Sequence, residues 1–452
     1  MDQGNNGASA SQRGEGIHNP RARQRALLIA AGPEEPDLSE LRELLRTARV
    51  AVAGEVTQRR GRPDPDRYLG KGKLAELKAE LKRSGANLIA CDDELAPRQE
   101  RNLEQETGVA VIDRTAIILD IFADHAGSAE GKLQVELAQL EYNLARMRGL
   151  WTHLERLGAG RMDGGIGTRG PGETQIETDR RLARDRIAAL RRRLERTRAT
   201  RAVMRRERER AHLPTVALAG YTNAGKSTLL NALTGAEVGV RDRLFHTLDP
   251  TTRSFEISGR DYLLTDTVGF IRKLPHQLVE AFAATLEETL RAELIVHVVD
   301  ASAPHEEIEE MTSAVDDVLA EIGAVERPQI LALNKVDLLD DERRRELGFR
   351  QPRATQVSAA TGEGLDSLRG AIEAEFLRRL RPMELLVPYR EGGRLAELHE
   401  LAGELEREDT AEGARVRVRV PAGVASRFER FEVGNGADGG APGDGRDGGR
   451  PG

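Results

Sequence analysis

The stretch Val216-Ala-Leu-Ala-Gly-Tyr-Thr-Asn-Ala-Gly-Lys-Ser-Thr-Leu-Leu-Asn-Ala-Leu233 decides the fold of this chain. Val216–Ala219 is an uninterrupted apolar run and reads as a buried strand. Thr228–Leu233 reads as the helix that follows, and between them Gly220–Ser227 fits G-x-x-x-x-G-K-[S/T]. Gly220 and Gly225 let the backbone N–H groups of Tyr221, Thr222, Asn223 and Ala224 wrap a phosphate at a helix N-terminus, where the dipole favours negative charge. Lys226 is expected to reach the β- and γ-phosphates and Ser227 to ligate Mg²⁺, with Thr228 opening the helix. A chance match of the bare pattern is the alternative, and the strand before and helix after argue against it.

Working outward, Asp266-Thr-Val-Gly269 follows the strand-like Tyr262–Leu264. There Asp266 can hold Mg²⁺ through water, Thr267 and Val268 complete the loop, and the Gly269 N–H can sense a γ-phosphate. Asn334-Lys-Val-Asp337 follows the strand-like Ile330–Leu333. The Asp337 carboxylate can accept the N1–H and N2–H₂ of guanine, a donor pair that adenine lacks, while Asn334, Lys335 and Val336 brace the base and its loop. Ser358-Ala-Ala360 closes the pocket, where a backbone N–H of Ser358, Ala359 or Ala360 can reach guanine O6. Four short motifs in this order point to a guanine-nucleotide domain. Between Lys226 and Asp266 a switch segment should give a threonine to Mg²⁺. The candidate is Phe245-His-Thr-Leu-Asp-Pro-Thr-Thr-Arg253, in which Thr247, Thr251 and Thr252 compete and Phe245, His246, Leu248 and Asp249 flank the nucleotide. Phe270 stands where Ras-like proteins carry the glutamine that orients water, so intrinsic hydrolysis should be slow. Asn223 is a candidate K⁺ ligand, a loop-stabilising amide being the alternative.

The chain has 452 residues, enough for about three domains and a sizeable core. With 32% charged residues and no run of 18 apolar ones, a membrane span is not expected. The first residues lack the basic start and apolar core of a signal peptide, and a single cysteine, Cys91, forms no internal disulfide or cysteine zinc cluster, so a cytoplasmic setting is expected. The net charge of −7 is unevenly spread: residues 173–212 carry 14 arginines against 7 acidic residues, a local +7. A basic segment on an acidic chain points to a polyanionic partner.

The organisation expected is α/β and multidomain. Residues 1–24 and the glycine-rich 434–452 read as disordered tails. Residues 25–128 alternate strands (Ala26–Ala31, Val50–Val56, Asn87–Cys91, Val109–Ile112) with amphipathic helices, which implies a parallel α/β layer. Residues 129–212 read as an antiparallel helical hairpin. Its seam is Leu133, Leu137, Leu140, Leu144, Met147, Trp151 and Leu154 on one helix and Ile176, Ala183, Ile187, Leu190 and Leu194 on the other. Its glycine-rich tip is 158–172, and Arg161, Arg169, Arg180, Arg181, Arg184, Arg191 and Arg192 are candidate RNA contacts, against the alternative of a solvated structural arm. Residues 213–381 read as a doubly wound P-loop domain and 382–433 as a small α+β appendage.

At this point the chain resembles the HflX family of ribosome-associated GTPases, in the Obg–HflX group. The resemblance runs from about residue 25 to 433. It rests on Tyr68-Leu-Gly-Lys-Gly-Lys73, Asp92-Asp-Glu-Leu-Ala-Pro-Arg-Gln99, Gly167-Thr-Arg-Gly-Pro-Gly-Glu-Thr-Gln-Ile-Glu177, Phe245–Arg253 and Asp266-Thr-Val-Gly-Phe-Ile271. It implies that Thr247, rather than Thr251 or Thr252, ligates Mg²⁺, and that a hydrophobic residue at Phe270 is usual. It further implies that the N-terminal layer and hairpin bind the large ribosomal subunit, that the GTP-bound form splits stalled ribosomes, and that hydrolysis to GDP releases the factor. Similar proteins also hydrolyse ATP, which Asn334–Asp337 gives no reason to expect. A monomer is expected. Rival readings are a GTPase of ribosome assembly or RNA modification, a GTP-gated protein adaptor, and an ATP-driven RNA remodeller, the last disfavoured by Asp337.

Overall fold

The computed structural model describes residues 24–146, 171–210, 213–236, 244–245, 247, 250–273, 289–402 and 405–433. Two compact units are present. One comprises the described residues up to Arg192 together with Lys273, and the other those from Arg193 to Arg272 and from Thr289 onward. The segments read from sequence as P-loop domain and C-terminal appendage thus fall in one unit, and the unit boundary lies inside the second long helix.

In the first unit the apolar runs pair as a four-stranded parallel sheet, β1 (Arg25–Gly32), β2 (Ala51–Arg59), β3 (Leu88–Cys91) and β4 (Ala110–Asp113), in the order β2-β1-β3-β4. Helices α1 (Ser39–Thr47), α2 (Lys71–Ser84) and α3 (Pro97–Thr107) connect them. A further helix, α4 (Arg114–His125), starts without a break from β4, because Asp113 ends the strand and caps the helix, its carboxylate accepting from Ala116 N. Such a cap contributes ~1 kcal/mol. Asp113 is fully buried and accepts as well from Leu95 N, Tyr142 OH and Arg146 Nη2. Two strings that carried the family resemblance do structural work here. Tyr68, 1% exposed, donates its hydroxyl proton to Asp93 and accepts from Ala31 N, tying the loop before α2 to the ends of β1 and β3. Asp92 holds the buried Arg114 at 2.9 Å, and Arg114 also pairs with Glu40. Lys273 Nζ donates to Asp92 and Asp93.

The helical stretches appear as α5 (Ala129–Arg146) and α6 (Pro171–Arg210), bridged by Glu136–Arg186 and Glu141–Arg191 ion pairs. On α6 the expected seam is buried at Ala183, Ile187, Leu190 and Leu194. On α5 it is shifted. Gln134, Val135, Leu137, Ala138 and Tyr142 are buried, whereas Leu133, Leu140 and Leu144 are only half-buried. The cause is that α5 packs on α4 and anchors Tyr142 and Arg146 to Asp113, which rotates the buried face away from a pure heptad. Met147, Trp151, Leu154 and the glycine-rich tip lie outside the described residues.

The second unit holds a six-stranded sheet in the order β10-β9-β8-β5-β7-β6. Its strands are β5 (Thr215–Gly220), β6 (Thr251–Ile257), β7 (Arg260–Asp266), β8 (Leu294–Asp300), β9 (Gln329–Asn334) and β10 (Thr355–Gln356). All pairings are parallel except β6 with β7, so Thr251 and Thr252, read from sequence as switch residues, belong to an antiparallel edge strand. Helices α7 (Lys226–Thr234), α8 (His305–Glu321), α9 (Asp341–Arg350) and α10 (Leu365–Leu377) complete the doubly wound layer. A three-stranded antiparallel sheet follows, β11 (Leu380–Val387), β12 (Glu406–Asp409) and β13 (Ala414–Pro421) in the order β11-β13-β12, with α11 (Gly392–Ala402) across it. β11 begins at Leu380, two residues before the boundary read from sequence. In a doubly wound sheet the ligand crevice lies beyond the carboxyl ends of the strands, where the order reverses, here at β5.

Candidate functional site at the carboxyl edge of the doubly wound sheet

β5 is buried from Val216 to Gly220 and delivers the chain into the loop ahead of α7. Gly225 has φ +93°, and a Cβ there would sit 2.3 Å from Asn334 Nδ2, so only glycine lets the loop pass this close to the 334 side chain. A Cβ on Gly269 would sit 2.8 Å from Thr222 Cγ2 and 3.0 Å from Lys226 Nζ, so the two loops touch at a glycine. Phe270 locks them together. Its N–H donates to Gly220 O (3.1 Å), its carbonyl accepts from Thr222 N (2.8 Å), and its ring is 1% exposed in the core. The residue that lacks a water-orienting amide is therefore a structural clamp. Sequence reasoning registered what Phe270 could not do and missed this role.

Lys226 is 6% exposed and donates to Gly220 O (3.1 Å) and Tyr221 O (2.8 Å). Burial pushes its ammonium down to about 8, against the pull of Asp266. Burial likewise pushes the Asp266 carboxyl up, opposed by Lys226 and by hydrogen bonds from Ser227, Thr247 and Thr267 N. Ser227 Oγ lies 2.8 Å from Thr247 Oγ1 and donates to Asp266 Oδ2. Thr252 instead bonds Thr265 across the β6–β7 ladder at 2.9 Å. Asp266 Oδ1 is buried and without a hydrogen-bond partner among the described residues, as is Thr222 Oγ1. Two hydroxyls and a carboxylate with one orphaned oxygen are the hard donors that suit Mg²⁺. Thr267 turns away and donates to Leu218 O, and Val268 is buried. Asn223 is exposed at φ +62°, and Phe245 is buried at φ +56°. Thr228 is half-buried in the first turn of α7. His246, Leu248 and Asp249 lie outside the described residues.

On the other side of the loop, Asn334 joins three motifs. It is 2% exposed; Nδ2 donates to Ala224 O (2.8 Å) and Oδ1 accepts from Ala359 N (3.0 Å). The three N–H groups expected near a base are then distinguishable. Ser358 N donates to Glu363 O and Ala359 N to Asn334, while Ala360 is exposed. Val336 is buried, Asp337 is exposed, and Lys335, at φ +66°, donates to Asp300 Oδ2 at 2.6 Å. Asp300, at the end of β8, was not singled out from sequence; its signal, a carboxylate closing a buried strand, is too common to stand out.

The basic residues predicted on the helical segment belong to the first unit. Arg181, Arg184, Arg191 and Arg192 are exposed on α6 and Arg180 is half-buried. Arg191 is engaged with Glu141, so the free positive charge is smaller than the arginine count suggests. Arg161 and Arg169 lie outside the described residues.

Comparison with known proteins agrees with this geometry. Family models described as GTP-binding GTPase N-terminal, GTP-binding GTPase Middle Region and 50S ribosome-binding GTPase match residues 35–123, 125–208 and 215–335. A GTPase HflX of Caldanaerobacter subterraneus is 46% identical over 91% of this chain and 95% of its own. The GTPase HflX of Escherichia coli is 44% identical over 85% of this chain and 90% of its own. A solved GTP-binding protein of Sulfolobus solfataricus in complex with GDP is 26% identical, over 78% of this chain and 98% of its own, with a TM-score of 0.40; the sequence relatives carry the assignment. Among the described residues no helix is long and apolar enough to cross a membrane. With four nucleotide motifs converging at one sheet edge and relatives of this identity spanning most of both chains, this chain belongs to the HflX GTPase family.

Proposed function

We propose that this chain is a cytoplasmic GTP hydrolase that binds the large ribosomal subunit, splits stalled ribosomes while GTP-bound, and leaves when GTP has become GDP. The observation that carries the reading is the convergence of Ser227, Thr247, Asp266 and Lys226 against a loop that Asn334 ties to the base-recognition segments. Support for the ribosomal partner comes from the 50S ribosome-binding description of the matched family model and from the exposed arginines of α6.

In this reading the loop N–H groups and Lys226 bind the phosphates, with Lys226 held ready by two carbonyls that a phosphate replaces. Ser227, Thr247 and, through water, Asp266 would hold Mg²⁺, which when bound neutralises charge on the β- and γ-phosphate oxygens. Thr247 and the Gly269 N–H sense the γ-phosphate, so its loss frees both loops. Asp337 accepts the two guanine donors and Ala360 N–H reaches O6. Phe270 cannot orient water. Intrinsic hydrolysis is therefore slow, and the large subunit supplies the missing element, with a K⁺ ion at Asn223 as a second contributor. ATP turnover, where it occurs, is secondary, because Asp337 rewards guanine. The chain acts as a monomer. The first test is subunit splitting. Stalled ribosomes mixed with the protein and a non-hydrolysable GTP analogue should separate into subunits on a sucrose gradient. Intact particles carrying bound protein would favour the assembly-factor reading instead.

A further inference from the structure

The second unit contains a cavity of about 480 Å³ that includes none of the nucleotide-loop residues. It lies between the β6–β7 turn, the end of α10 and the outer face of the β11-β13-β12 sheet. At its floor stands Arg260, 8% exposed. Its guanidinium lies over the Tyr262 ring and beside that tyrosine's hydroxyl, which also feels the Glu373 carboxylate, and it makes no ion pair among the described residues. A buried guanidinium without an anion is costly, and such groups are kept where an anion completes them. Arg419 lines the same cavity from β13. Its register partner on β11 is Pro382, and among the described residues it donates to Leu377 O at 3.5 Å and makes no ion pair. Its neighbour Arg417, by contrast, faces Glu384 and Glu406. Arg260, buried, and Arg419, exposed, line the same cavity, and guanidiniums are the groups suited to hold a phosphate.

The cavity is not uniformly basic. Glu384 and Glu406 line it, paired with Arg417, and Glu373 lines it as well, half-buried and without an ion-pair partner among the described residues; Leu377 and the Tyr262 ring give it an apolar side. A bare anion would be repelled by Glu373. A ligand with a phosphate at one end and N–H or O–H donors at the other satisfies all three groups. We infer that this cavity is a binding site for a phosphate monoester of mononucleotide size, its phosphate between Arg260 and Arg419 and its donors toward Glu373. The size agrees, since small-ligand pockets run from roughly 300 to 1,000 Å³. The ligand is a free nucleotide or the 5′-phosphorylated end of an RNA strand.

Full-length protein saturated with GDP and Mg²⁺, so that the guanine site is filled, is titrated calorimetrically with 5′-AMP, 5′-UMP, a 5′-phosphorylated uridine trinucleotide and inorganic phosphate. One further binding event per chain is expected for a nucleotide probe, tighter than for inorganic phosphate. A mononucleotide that binds as well as the trinucleotide identifies a free ligand, and a marked advantage of the trinucleotide identifies an RNA strand. Arg419→Glu, an exposed strand position that folding tolerates, should weaken this event roughly ten- to a hundredfold and leave GDP affinity unchanged. Glu373→Gln should keep phosphate affinity and lose the preference for a nucleotide over inorganic phosphate. No second event with any nucleotide probe, or a second event indifferent to Arg419→Glu, overturns the inference.

Discussion

Replacing Asn334 by alanine removes one side chain and cuts two long-range ties, to Ala224 O (110 residues away) and to Ala359 N (25 residues away). Both bonds are buried. A buried donor or acceptor left without its partner costs ~1–3 kcal/mol, so two of them amount to ~2–6 kcal/mol. Water entering the vacated space recovers part, which sets the expected loss of stability in the second unit at ~2–4 kcal/mol. The effect on nucleotide is separate. GDP is bound only when the 220–227 loop and the 358–360 turn hold their places together, so the apparent affinity falls by the fraction of time they do. If the tie contributes even ~1.4 kcal/mol to that arrangement, affinity drops about tenfold. We expect Asn334→Ala to weaken a fluorescent GDP analogue ten- to a hundredfold in equilibrium titration. Asn334→Asp, which keeps the acceptor for Ala359 N but sets its other oxygen against Ala224 O, should fall between. A dissociation constant for Asn334→Ala within about threefold of the parent would refute the reasoning.

Three further outcomes are expected. Asp337→Asn should cost GTP affinity and turn the preference toward xanthosine triphosphate, whose base offers an acceptor where guanine offers donors; competition titration reads the ratio, and an unchanged preference removes Asp337 from base recognition. His297 on β8 is 2% exposed, and burial, with Lys226 adding to it, lowers its pKa to about 4. The unfolded chain then binds a proton between about pH 4 and 6.5 that the folded chain does not, so stability falls as pH drops through that window, by about 3 kcal/mol in total. Urea unfolding of parent and His297→Leu across pH 4–7 checks it, the variant losing this part of the slope. Exchanging Arg181, Arg184 and Arg192 for glutamate should weaken salt-sensitive binding to large ribosomal subunits and leave GDP binding intact, as pelleting assays would show. Unchanged pelleting would remove α6 from RNA contact.

Much of the architecture was legible because burial leaves a signature. The runs at 26–31, 88–91 and 216–219 are apolar on both faces, as parallel central strands must be. What escaped lacked that signature. β12 reads Glu-Arg-Glu-Asp and is exposed throughout, and the first residues of β6 were read as part of the switch segment. α4 was hidden because Asp113 both ends a strand and caps a helix, leaving no turn residue between them. Of the candidate site, residue types and order were readable, since phosphate and guanine dictate them. That Asn334 spends both ends of its amide on the protein, and that Phe270 clamps two loops through its backbone, was not readable, because the partners lie far away in sequence or are main-chain atoms. The α5 seam was misplaced for a related reason. A heptad describes helix against helix, whereas α5 also answers to Asp113.

Under the proposed function, a site with Phe270 in place of a water-orienting glutamine turns over because a ribosomal partner completes it. The most direct measurement is GTP hydrolysis with and without purified large ribosomal subunits, in K⁺ and in Na⁺ buffer. Slow hydrolysis alone and strong stimulation by the subunit, greater in K⁺, are expected. GTP that binds normally and is hydrolysed no faster with subunits present would contradict this and point to a protein partner instead.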